Sequence, residues 1–146
     1  MKRKSKRRRI YRDRYRCVML RFAGKYLDPD EITEQLGIEP YFAGRRGKIK
    51  GKSGETYNRQ SGYWSMSSRL RRNATLQNHV KDILEQIRPK KKVLLGILRE
   101  YSGDLNIAVQ PHEELANVGY TFPASLLVEF VSLGFDIRFS IYPSWD

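Results

Sequence analysis

Residues 18–40, VMLRFAGKYLDPDEITEQLGIEP, constrain the fold more than any other stretch of the chain. Val18, Leu20 and Phe22 recur at every second position, the period of a half-buried strand. Asp28 then stands where a helix N-cap belongs, and Pro29 occupies the first helical position, where a missing N–H costs nothing. Glu31, three residues past the cap, is placed to reach back to the Asp28 amide as a capping box, and Leu27 and Ile32 are spaced as a hydrophobic staple. Ile32 and Leu36 share one face of a two-turn helix. Gly37 can take the left-handed C′ position, and Pro40 prevents the helix from resuming. The unit predicted is strand, loop, short helix and turn.

The rest of the chain supplies further elements of both kinds. GYWSMSS over Gly62–Ser68 predicts a strand with Trp64 and Met66 directed into the core and Tyr63 on the other face. Leu76, Val80, Ile83, Leu84 and Ile87 recur at helical spacing, with Thr75 as N-cap and Pro89 as the stop. Lys90–Tyr101 can be read as a strand, VLLGIL, or as a helix. Val93, Ile97 and Tyr101 at i, i+4 and i+8 favour the helix, ending at Gly103. Leu105, Ile107 and Val109 predict a strand, Pro123–Leu133 a helix closed by Gly134, and Phe135, Ile137, Phe139 and Ile141 another strand. Strands alternate rather than being apolar throughout, so only one sheet face need be covered. The expected fold class is α+β: a single mixed or antiparallel sheet of four to five strands with helices packed on one face, ferredoxin-like in style.

These features resemble one known family. A strand followed by LDPDEITEQLGIEP, a Gly-Lys turn, GYWSMSS and a long helix ending near Pro89 is similar to the bacterial family called domain of unknown function 4279, as is the later strand-helix-strand ending in IYP. The resemblance covers roughly residues 17–142. It implies a compact α+β domain inside the cell, carries over no activity, and does not include the basic N-terminus.

Charge separates that N-terminus from the predicted core. The chain of 146 residues carries a formal net charge of +12. Residues 1–16 hold ten Lys/Arg against Asp13, and residues 41–72 hold nine against Glu55, so the remainder is mildly acidic. The expected organisation is a basic arm over residues 1–14, disordered on its own because like charges oppose collapse, and an α+β domain over residues 15–146. A basic loop over residues 41–60, with glycines at 44, 47, 51 and 54, is expected to form short strand pieces around a loose tip.

Several motifs suggest chemistry and fall short of it. GKIKGKSG invites comparison with a phosphate-binding loop, but the pattern requires glycine where Arg46 stands, and GETYNRQSG is a poor helix start. His79 and His112 are the only histidines and lack ligand spacing, so no metal is expected. His79 is expected at the surface or its boundary, and the lone Cys17 as a buried strand thiol. Asn73-Ala74-Thr75 is read as a helix cap rather than a glycosylation site. The acidic pair Glu113 and Glu114 has no partner that would make a catalytic site. No cofactor and no enzyme activity are expected. With no apolar run of membrane-span length and no apolar segment after the basic N-terminus, the location expected is cytoplasmic.

The basic segments carry the functional expectation. Lys/Arg clusters neutralise phosphates and release counterions, and arginine also stacks on bases. The expected nucleic-acid contacts are Lys2, Arg3, Lys4, Lys6, Arg7, Arg8, Arg9, Arg12 and Arg14 in the arm, and Arg45, Arg46, Lys48, Lys50, Lys52, Arg59, Arg69, Arg71 and Arg72 beyond it. Tyr11, Tyr41, Tyr57 and Tyr63 are candidates for stacking on unpaired bases. RNA is favoured over DNA because the long helix is mixed in charge. The alternative is a protein-interaction module, an immunity or inhibitor protein whose basic face covers an acidic partner or a nucleic-acid groove.

Overall fold

A computed structural model describes residues 13, 15–112 and 118–143. Its first strand, β1 (Tyr15–Gly24), leads into α1 (Pro29–Leu36). Asp28 is the N-cap of α1 and accepts a hydrogen bond from the Asp30 amide, while Gly37 adopts the left-handed conformation at φ 65° and closes the helix onto the Thr33 carbonyl. The reciprocal half of the capping box does not form: among the described residues Glu31 makes no bond back to the Asp28 amide. Leu27, Ile32 and Leu36 are all buried.

Short strands β2 (Phe42–Gly44), β3 (Gly47–Lys50) and β4 (Thr56–Arg59) follow, and then β5 (Gly62–Ser67). Strands β3 and β4 pair as a separate two-stranded hairpin. The glycine- and lysine-rich stretch is therefore strand, tip and strand, with no helix at Lys52. Gly62 is required where β5 passes the turn after β1, since a Cβ there would stand 2.3 Å from the Leu27 carbonyl oxygen.

Helix α2 (Leu76–Ile87) starts at the Thr75 cap, which accepts from the Asn78 amide. Pro89 follows the end of α2 at Ile87, as expected. It lies in a 3-10 turn, Arg88–Lys90, that passes directly into α3 (Lys91–Glu100). A proline is tolerated there because the first residues of a helix need no N–H partner. The helical reading of VLLGIL holds, with Leu94 and Ile97 buried, although the helix ends at Glu100 rather than Gly103. Then come β6 (Ser102–Gln110), α4 (Ala124–Leu133), closed by Gly134 at φ 102°, and β7 (Asp136–Ile141).

The main sheet has the order β2-β5-β1-β6-β7, antiparallel except for the parallel pair β6–β7. Helix α1 packs against β5, α2 against β1, α3 against β6 and α4 against β7. Val18, Leu20, Phe22, Trp64, Met66, Leu105, Ile107 and Val109 point to the helices and form the core with Ile83, Ile87, Leu94 and Phe130. Trp64 is fully buried and donates from Nε1 to Thr33 Oγ1 at 3.0 Å, tying α1 to the sheet. The α+β class with one mixed sheet is thus as expected.

Two positional expectations need correction. His79 is buried, not at the surface, because the segment after β5 folds over α2 and places the Ser68 hydroxyl against Nδ1. Burial holds the imidazole below its usual range, with the Arg72 carbonyl pulling weakly the other way. Cys17 is half-buried rather than buried, because it points away from the helices. No helix among the described residues is long and apolar enough to cross a membrane.

Candidate nucleic-acid interface

Because each strand turns alternate side chains to opposite faces, the register fixes what the helix-free face presents. Phe42 pairs with Ser65, Ser65 with Arg21, Arg21 with Asp104, and Asp104 with Asp136, so these five form one row across the sheet. Gly44, Tyr63, Ala23 and Ser102 make the next row on one side, and Ser67, Met19, Asn106 and Arg138 the row on the other. Cys17, Tyr15 and Tyr142 extend the face further. No helix covers it.

This face is amphipathic. Arg21 is held flat by Asp104 through two hydrogen bonds, Nε to Oδ1 at 2.7 Å and Nη2 to Oδ2 at 2.8 Å, which raise the guanidinium above its usual range. A cleft of about 540 Å³ lies over the row, lined by Phe42, Tyr63, Arg21, Asp104, Asp136 and Arg138 among others. Phe42 is 55% exposed and meets Tyr41 edge to face at 4.6 Å. Tyr15 and Tyr142 make a second edge-to-face pair at 6.1 Å. Burial first, and then the hydrogen bond with Cys17, push the Tyr15 hydroxyl up to about 12, so it stays neutral at physiological pH. Exposed rings here can stack on planar ligands, and the exposed Arg138 guanidinium can hold an anion.

Of the cations expected to bind phosphate, the structure brings together only some. Arg45 is turned away onto α1, bonding Asp28 at 2.8 Å and Asp30 as well. Arg69 is committed to Asp82, whose carboxylate also accepts from the Arg69 amide. Burial raises the Asp82 carboxyl, but these bonds outweigh it and hold the group below its usual range. Arg46 lies 4.7 Å over the Tyr26 ring and Arg59 4.6 Å over the Tyr63 ring, so Arg59 borders the open face. Lys48, Lys50, Lys52, Arg71 and Arg72 are exposed, and among the described residues their side chains form no ion pair. Lys48 and Lys50 point to one side of the hairpin. Tyr57 is on the same hairpin, 47% exposed, and Tyr41 is 56% exposed. Lys2, Arg3, Lys4, Lys6, Arg7, Arg8, Arg9, Tyr11, Arg12 and Arg14 lie outside the described residues.

Tyr15 and Phe42 lie beside the basic stretches and are within reach of a search for basic runs, whereas Arg21, Asp104, Asp136, Arg138 and Tyr142 are residues that it overlooks. Their signal was in the strand alternation itself. The positions between the core residues of 18–22, 105–109 and 135–141 point to the other face, and the sequence places the charged groups Arg21, Asp136 and Arg138 at three of them. Among the described residues no group of His, Cys, Asp and Glu is arranged to hold a metal.

Residues 13–144 match a family model described as Domain of unknown function (DUF4279). No curated protein and no solved structure matches the chain.

Proposed function

The chain belongs to the DUF4279 family, and we propose that its sheet serves as a non-enzymatic platform for single-stranded nucleic acid, RNA in preference to DNA. One observation carries this reading. The helix-free face of the five-stranded sheet displays Phe42, Tyr63, Tyr15 and Tyr142 with Arg21 and Arg138, and the cationic hairpin adjoins it. Unpaired bases stack on exposed rings and guanidinium planes, whereas the lysines of the hairpin and the N-terminal basic segment meet phosphates. A sheet face that displays rings suits splayed, unpaired bases, whose faces are free to stack. The helices lie on the other face, and α2 mixes Lys81 with Asp82 and Glu85, which further favours RNA over duplex DNA.

The test is a fluorescence titration of the full chain with a labelled single-stranded RNA and with duplex DNA at several salt concentrations. The RNA is expected to bind more tightly, with the logarithm of affinity falling linearly with the logarithm of salt. With ~6 phosphates engaged the slope is roughly −4. A slope near −1 would show that phosphates are not the anchor and would favour an acidic protein partner instead.

A further inference from the structure

β7 ends the sheet, and among the described residues its outer edge has no strand beside it. Tyr142 donates its amide to the Val109 carbonyl, and Ile141 is the register partner of Val109. The even-numbered residues of β7 therefore bond to β6, and Ile137, Phe139 and Ile141 turn their N–H and C=O groups to the free side. Native edges are normally blunted by proline, a bulge or inward charge. Asp136–Ile141 contains no proline and no bulge, and its two charged side chains, Asp136 and Arg138, lie on the open face. Instead, Phe139 and Ile141 are 54% and 66% exposed on the helix side of the edge, and Val131, at the C-terminal end of α4, is 55% exposed.

Asp136 and Arg138 identify the occupant. Both are exposed on the open face of β7, two positions apart, and among the described residues neither forms an ion pair. We propose that β7 pairs antiparallel with β7 of a second copy of this chain, about a twofold axis at Ile137. That register sets Asp136 opposite Arg138 of the second copy, and the reverse, in the positions where facing side chains approach most closely. Shifting the axis to Phe139 puts Arg138 diagonally across from its own equivalent and Asp136 against Tyr142, so charge selects the first register.

The backbone agrees. The Phe135 amide is already bonded to the Phe130 carbonyl. The ladder then consists of the reciprocal Ile137 pair and one bond from each Phe139 amide to the facing Phe135 carbonyl. Each Phe139 ring comes to lie beside Phe135 and Val131 of the other copy, covering apolar surface that the single chain leaves in water. The contact is isologous and closes at two copies. It also joins the two open faces into one continuous surface.

Sedimentation of the nuclease-treated full chain at physiological ionic strength tests the pairing. The expected species has twice the 17.2 kDa mass of the chain. Arg138→Asp places like charges opposite each other twice and should weaken the dimer by about tenfold or more, and the exchange Asp136→Arg with Arg138→Asp should restore it. Circular dichroism verifies that each variant is folded. A parent chain that remains a monomer at submillimolar concentration would overturn the proposal, as would an Arg138→Asp variant that dimerises like the parent.

Discussion

Asp28 shows how local and distant signals differ at the scale of one residue. Its role as a cap is written within four positions, Asp28 to Glu31, and the helix starts where those residues say. Asp28→Ala should destabilise the fold by about 1 kcal/mol in urea denaturation, with RNA affinity unchanged where the protein is folded. Arg45 was not legible in the same way. The sequence groups it with the hairpin lysines, but its partners are the N-cap Asp28 and Asp30 in α1, the latter fifteen positions back in the chain, and no periodicity reveals such a contact. Arg45→Ser should therefore weaken RNA binding less than Lys48→Ser, measured by titration at one salt concentration. His79 was misplaced for a related reason. A helical stripe tells which side of α2 faces inward, but not that the Ser68 segment would close over its margin. Burial lowers the folded-state value below the unfolded 6.5, so the unfolded chain binds the proton more readily. The stabilisation is full above that value and declines as pH falls through and below it. A series of urea melts from neutral to mildly acidic pH is expected to show this decline, and His79→Gln to reduce it.

At the scale of elements, period and punctuation determined most of the outcome. The alternating residues of β1, β5 and β6, the stripe of α2, and the paired Pro123 and Gly134 around α4 were all legible because each is a repeat of two or 3.6 residues with a physical stop. Pro89 was legible as a stop only in part, since a proline that breaks one helix is also well suited to begin the next. The hairpin β3–β4 is the element that most needs its charge explained, because among the described residues Lys48, Lys50 and Lys52 form no ion pair. Replacing all three with serine should leave the melting temperature nearly unchanged and lower RNA affinity. If each lysine meets one phosphate, the salt slope becomes shallower by about 2. Deleting residues 1–9, which removes seven Lys/Arg side chains, should weaken binding equally across unrelated RNA sequences, since phosphate contacts do not read bases. Equal titrations of the parent and the deleted chain would remove the arm from the interface.

The whole molecule is polarised twice: helices against a bare sheet face, and cationic segments against a mildly acidic remainder. The first polarity was legible, because strands that alternate need only one covered face. The strand order was not, since β1 lies at the centre only by virtue of pairings with β5 and β6 that are distant in sequence. Without that order, Arg21, Phe42 and Arg138 cannot be seen to share one surface, which is why a search for basic runs found the hairpin and overlooked the platform beside it. Ultraviolet cross-linking of the full chain to a single-stranded RNA, with the linked peptides mapped by mass spectrometry, tests that platform most directly. Cross-links are expected at Phe42 and Tyr63, on Tyr15 or Tyr142, and along the hairpin, and Phe42→Ala with Tyr63→Ala should lower affinity by about tenfold or more if each ring holds a base. Cross-links confined to α1–α4, with both rings dispensable, would contradict the assignment of the open sheet face as the binding surface.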